Sequence, residues 1–95
     1  MRPKPLTSGQ IRAARALLRR TAEDLAQKAA LGLATVRRAE LAAEATSMTA
    51  ANDLAVRRAL ETAGIEFIDE NGGGPGVRVK KPQRQRSSKD KFARR

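Results

Sequence analysis

Cysteine and histidine are both absent from these 95 residues. Without cysteine there is no disulfide framework and no thiolate metal site. Without histidine as well, most zinc sites, the Ser-His triads and the common general base near neutral pH are lost. Carboxylates, lysines and hydroxyls remain, but no paired constellation of them stands out, so no enzyme, cofactor or metal is expected. Aromatics are nearly missing too: two phenylalanines, no tryptophan and no tyrosine. That scarcity argues against an RNA or single-strand binder, which stacks bases on aromatic rings. No apolar run is long enough to span a bilayer. The start, MRPKPLTS, is basic with no apolar core after it, so it does not read as a secretory signal. A cytoplasmic protein with no membrane attachment is the expectation.

What is abundant is positive charge. Twenty basic residues stand against ten acidic ones, a net charge of +10. Such an excess favours a polyanionic partner, nucleic acid first and a membrane surface second. The apolar content is mostly Ala, Leu and Val, which suits short helices packed closely around one small core. So small a core would gain from a partner subunit.

The chain divides into four segments. Residues 1–6 read as a flexible arm with two prolines and two cations. Residues 7–64 read as a helical domain, 65–81 as a β-hairpin, and 82–95 as a disordered basic tail. The first helix starts near Thr7, where Thr7-Ser8-Gly9-Gln10 fits a capping box. Ile11, Ala14, Leu17 and Leu18 then form one apolar stripe, with Arg12, Arg15, Arg19 and Arg20 facing away.

Residues 21–43, TAEDLAQKAALGLATVRRAELAA, read as helix, tight turn, helix. Thr21 is a good N-cap and Asp24 can answer it. Leu25, Ala26 and Ala29 share one face. Gly32 supplies the permissive backbone of the break and caps the next helix, Leu33 to about Ala43. That helix buries Val36 and Ala39 and exposes Leu33, Ala34, Thr35, Arg37 and Arg38. A face that is small near its start and doubly cationic one turn on suits a DNA major groove.

The run EDLAQKAALGLATVRRAE resembles the helix-turn-helix of the Xre family, the phage Cro and repressor-like DNA-binding domains. The matching residues are Leu25-Ala26 in the first helix, Ala29 and Leu31 at the turn, and Thr35-Val36 and Glu40 in the recognition helix. Ala22 departs from the family's frequent Gln, Gly32 from its capping Ser, and Ala39 from a larger apolar residue. The resemblance implies a mainly α fold. Its form would be a four- to five-helix Cro/repressor-like helix-turn-helix bundle followed by a C-terminal β-hairpin and the tail.

Direction along the recognition helix assigns roles, because its N-terminal residues approach base edges. Leu33 and Ala34 offer apolar contact with thymine methyls, Thr35 a hydroxyl, and Arg38 a bidentate donor for guanine. Arg37 on the flank, with Arg20 and Thr21 at the start of the motif, points to phosphates. Glu40 reads as a helix-end carboxylate paired with a neighbouring arginine.

Ser47 or Thr49 can cap a fourth helix, about Ala50 to Ala63, with Gly64 at its end. Its apolar side is Val56, Ala59, Leu60 and Ala63, with Leu54 partly covered and Arg57 and Arg58 opposite. Then the period changes. Ile65 and Phe67 share a face of one strand, Val77 and Val79 a face of the next, and a glycine cluster joins them. The first strand is acidic and the second basic, so opposite charges can face each other. The glycines are a hairpin tip rather than a phosphate loop, since Pro75 and a strand follow instead of Lys-Ser/Thr and a helix. The run GIEFIDENGGGPGVRVKK resembles the extension of a group of small bacterial Xre-like regulators. A lone hairpin is marginal in water, so it packs on the helices or meets another hairpin in a homodimer. The tail holds six basic residues against one acid, half of the net charge. It would add sequence-independent affinity and salt dependence on DNA.

The expected function is a sequence-specific regulator of double-stranded DNA, homodimeric and repressing transcription. The alternative from another class is an antitoxin-type interaction module that binds a toxin through the hairpin or tail and autoregulates its operon.

Overall fold

Three threonines start three of the four helices among the described residues. The computed structural model describes residues 4–43, 45–69 and 72–80. The elements are α1 (Ser8–Leu18), α2 (Ala22–Ala29), α3 (Leu33–Leu41), α4 (Ala50–Thr62), β1 (Ile65–Ile68) and β2 (Gly76–Val79). Thr7, Thr21 and Thr49 each accept a hydrogen bond from the backbone N–H three residues on. For Thr7 and Thr21 the box is closed, because Gln10 and Asp24 reach back to the cap's own N–H at 3.0 Å each. These reciprocal bonds satisfy donors that a helix start otherwise leaves orphaned. Only α3 starts on a glycine, Gly32, with no side-chain cap.

Helix ends come out differently from expectation. Gly32 is extended at φ −69° and serves only as the cap. The left-handed residue that turns the chain out of α2 is Ala30 at φ 58°, and Leu31 N–H closes the turn onto Ala26 O at 2.9 Å. Arg19 does the same after α1 at φ 56°. α3 stops at Leu41 and α4 at Thr62, with Gly64 at φ +111° beyond it.

The core is Leu6, Ile11, Ala14, Leu25, Ala26, Ala29, Val36, Ala39, Val56, Leu60 and Ile65. Four of those eleven are alanines, which lets short helices approach closely. Of the two leucines ending α1, Leu18 packs against the core and Leu17 is 48% exposed, so the stripe continues through only one of them. Ala63, expected on the apolar side of α4, is exposed.

The segment before α1 is anchored rather than free from Lys4 onward. Leu6 is buried at 1% exposure, and its N–H donates to Asp53 Oδ1 at 2.9 Å. Lys4 O accepts from Arg57 Nη2 at 2.9 Å. Arg57, expected on the outer side of α4, is therefore buried, its guanidinium 5.1 Å over the Phe67 ring. Lys81 and the expected tail, 82–95, lie outside the described residues.

β1 and β2 are antiparallel, with Glu66 opposite Arg78 and joined to it by two hydrogen bonds of 3.1 Å. The hairpin packs on the helices, β1 against α4 and β2 against α1. Ile65 is fully buried inside this one chain, and Phe67 and Val77 pack against the same core. Ile65 is thus closed to a second hairpin, Phe67 and Val77 are half-buried, and Val79 is 52% exposed. Gln10 ties the hairpin to the start of α1. Its amide nitrogen donates to Ile68 O at 3.3 Å and Gly76 O at 3.0 Å while its oxygen holds the Thr7 cap.

Two substitutions test these assignments by urea unfolding. Ala30→Gly relieves a left-handed alanine and should stabilise by about 0.5–1 kcal/mol, the residual after glycine's extra freedom in the unfolded chain. A loss of stability would place the left-handed residue elsewhere. Gln10→Glu keeps the capping oxygen but turns a donor into a carboxylate facing two carbonyls. It should cost about 1–3 kcal/mol at neutral pH, and an unchanged midpoint would remove Gln10 as the hairpin tie.

Candidate functional site

α1 holds the far end of α3 with three side chains. Ser8 Oγ donates to Ala42 O at 2.8 Å, and Arg12 Nη1 donates to Glu40 O at 3.0 Å. Arg15 binds both oxygens of Glu40, Nε to Oε2 at 2.7 Å and Nη2 to Oε1 at 2.8 Å. Its Nη1 also donates to Arg20 O at 2.9 Å, just before α2. One guanidinium thus joins α1, the entry to α2 and the last turn of α3. Cations at a helix C-terminus also face its partial negative charge. The hydrogen bond to Glu40 raises the Arg15 pKa above its ordinary value, outweighing desolvation. Arg15 is therefore half-covered and committed structurally, Arg12 stays on the exposed face while tied to α3 by one hydrogen bond, and the expected arginine partner of Glu40 is Arg15.

So held, α3 turns Ala34, Arg37, Arg38 and Leu41 outward. Ala34, Arg38 and Leu41 are spaced by four and three residues, which puts them in one row. Leu41 is 82% exposed, the most exposed large apolar side chain among the described residues. Leu33 and Thr35, expected on the outer face, are half-buried, and Leu33 packs against the core. Leu33 is thus only partly available to a ligand. Among the described residues, Arg38 has no carboxylate within 4.0 Å.

Two hollows flank α3. On the α1–α2 side, one of about 530 Å³ gathers Arg12, Arg15, Arg19, Arg20 and Arg37 with Glu23 and Glu40. Thr21, Ala22 and Leu41 complete its lining. The expected anion-contacting set of Arg20, Thr21 and Arg37 is thereby brought into one place. Thr21 is partly committed: its N–H serves Asp24 and its oxygen accepts from Asp24 N–H. Those bonds, led by the Thr21 backbone N–H, hold the Asp24 pKa below its ordinary value. Arg37 meets Glu23 at 3.4 Å, with both side chains more than half exposed. Such a pair contributes little.

On the α4 side, a hollow of about 410 Å³ is lined by Thr35, Arg38 and a run of hydroxyl and amide groups, Thr46, Ser47, Thr49 and Asn52. Ser47 sits at φ 62°, which turns the chain into α4. Sequence reasoning treated Ser47 and Thr49 only as caps and passed over Thr46, Asn52 and Leu41. The hydroxyl run was visible, and Leu41 follows Ala34 at the same helical spacing as the residues already chosen. No helix of the described residues is long and apolar enough to cross a membrane. Among those residues no three His, Cys, Asp or Glu converge as a metal site.

The Arg15–Glu40 pair makes a non-additive prediction. Arg15→Leu strands a buried carboxylate and should cost about 3–5 kcal/mol. Arg15→Leu combined with Glu40→Leu should be milder than that single change, because no unpaired charge is left. Denaturant unfolding of the single and double variants measures this, and simple additivity would refute the coupling.

No protein-family model matches this chain, and no curated protein matches it either.

Proposed function

We propose that this domain is a sequence-specific regulator of double-stranded DNA, a Cro/repressor-like helix-turn-helix protein that lays α3 in the major groove. The observation that carries this reading is the surroundings of α3. An exposed row of Ala34, Arg38 and Leu41 lies between a basic hollow on one side and a hydroxyl-lined hollow on the other. Base edges are read by a helix face, while the flanks position it on phosphates. Ala34 offers a methyl to thymine, and the exposed Arg38 a fork to guanine. Arg20 and Arg37 approach one backbone strand, and Ser47 and Thr49 the other. Thr35 contributes a hydroxyl from the α4 side. The resemblance of residues 23–40 to the Xre motif points the same way, with α2 and α3 as its two helices. Repression follows from occupancy of an operator and needs no catalytic step.

A homodimer presents two such helices to two half-sites. Leu17 and Val79, half-exposed apolar side chains on the packed elements α1 and β2, give a protein partner something to cover. A toxin would use the same surface in the antitoxin alternative.

The test is fluorescence anisotropy with a duplex from the gene's own upstream region and a scrambled duplex, across a salt series. A preference of ~10³ or more at physiological salt is expected. Arg38→Ala should weaken the specific duplex by about 1–3 kcal/mol and the scrambled one much less. Equal binding of both duplexes, falling steeply with salt, would refute sequence-specific recognition. Equal losses on the two would take Arg38 out of base reading.

A further inference from the structure

The hollow between α1, α2 and α3 holds more positive charge than its own carboxylates balance. Five guanidinium groups line it against two carboxylates. Both Glu40 oxygens are already taken by Arg15, and Glu23 reaches Arg37 only at 3.4 Å in the open. Among the described residues, no carboxylate comes within 4.0 Å of Arg19 or Arg20. These two, with Arg37, are exposed and free to turn toward an anion. The volume, about 530 Å³, falls among those of small-molecule sites, roughly 300–1,000 Å³. Leu41 adds an apolar wall at the rim, so the hollow offers charge for phosphates and a surface for whatever carries them.

We propose that this hollow is a phosphate-binding site for a small ligand with two or more linked phosphates, and that such a ligand and a DNA strand exclude each other there. The exclusion rests on the DNA reading; the binding does not. The chemistry common to both occupants is the phosphate oxygen, which guanidinium forks bind in pairs. Linked phosphates place several of those oxygens within one hollow, where clustered guanidiniums can each take a share. Arg37 links the two occupants, since it belongs to α3 and to the hollow alike. A ligand that engages Arg37 withdraws it from the DNA backbone and lowers duplex affinity without touching Arg38.

The experiment titrates the full chain with inorganic triphosphate, orthophosphate and sulfate at matched ionic strength, read by calorimetry. Displacement of a labelled duplex is read in parallel. Triphosphate should bind saturably, at least about tenfold more tightly than the two single anions. Arg20→Gln and Arg37→Gln, both at exposed positions, should each weaken it by about tenfold. Arg58→Gln, which removes an exposed cation on α4, should leave it unchanged. Thermal melts establish that all three variants fold. Triphosphate binding no tighter than sulfate, or equally weakened by Arg58→Gln, overturns the site. Duplex binding lowered by Arg20→Gln with no triphosphate affinity overturns the small-ligand proposal and leaves a backbone-phosphate contact. Triphosphate binding with the stated variant effects, and no affinity for any duplex, upholds the site while removing the DNA reading.

Discussion

The bidentate bond between Arg15 and Glu40 is the constraint on which the geometry of this domain turns. Glu40 lies in the last turn of α3 and Arg15 in the last turn of α1, 25 residues away in sequence. An Ala-rich core supplies close approach but little shape to lock one helix against another, since small side chains interdigitate weakly. A fork-to-fork pair supplies the missing direction. It fixes distance and rotation together, because both carboxylate oxygens must meet two nitrogens of one planar group. The third arm of the same guanidinium holds Arg20 O, so α2 is set relative to α3 by the same residue. Everything argued for the outer face of α3 depends on that rotation. Turning the helix by one residue would either carry Arg37 into the buried place of Val36 or carry Glu40 out to the exposed place of Leu41, according to direction.

Other polar ties extend this pattern away from α3. Gln10 spends its amide on a helix cap and on two strand carbonyls, so the start of α1 and the tip side of the hairpin hold each other. Asp53 and Arg57, one turn apart on α4, take the N–H of Leu6 and the carbonyl of Lys4. Going from Leu6 back to Lys4, the chain moves from the first turn of α4 toward its C-terminal end. That direction leads away from Ser47 and Thr49, hence away from the surface assigned to DNA. Arg57 Nε, buried without a hydrogen-bond partner among the described residues, is what this arrangement leaves unsatisfied. The Phe67 ring under the guanidinium offsets part of that cost.

What was legible in the sequence was local. The closed caps at Thr7 and Thr21, the stripe of Leu25, Ala26 and Ala29, the stop at Gly64 and the Glu66–Arg78 pair all rest on residues a few positions apart or on a simple hairpin register. What was not legible needed distant partners. The ties of Arg12 and Arg15 to α3 were not visible because their acceptors lie 28 and 25 residues away, although Arg12 is exposed as expected. The anchoring of Lys4 and Leu6 depends on residues 53 and 47 positions on. Leu17 and Leu18 both fit an apolar stripe, and only packing chooses between neighbours 100° apart around a helix. Ala30 is instructive in another way. Ala29 is the last residue of α2 that must be buried, so the chain has to reverse immediately afterwards. The left-handed conformation falls on the next position whatever its side chain, and Gly32 comes two residues too late. On the outer surface, the basic flank of α3 was legible from charge alone. The hydroxyl flank was not, because Ser and Thr before a helix are equally explained as caps.

The dimer expected from the DNA reading follows from magnitudes rather than from symmetry. One bidentate arginine–guanine pair discriminates by about 1–3 kcal/mol. A specific site must outcompete random DNA by roughly 4–10 kcal/mol. A single α3 offers Arg38 as its one forked donor, with Ala34 adding a methyl contact and Thr35 a hydroxyl. The remaining groups around it, Arg20, Arg37, Ser47 and Thr49, would meet phosphates and carry no sequence. One domain therefore reaches only the lower end of the required discrimination, whatever its charge adds to raw affinity. Two domains on two half-sites double the base contacts at the cost of one association. The hairpin's inner face is already turned to the helices, with Ile65 buried and Phe67 and Val77 half-buried. A second copy would then find its apolar surface at Leu17, Leu54 and Val79, which are exposed among the described residues and lie outside the α3 face.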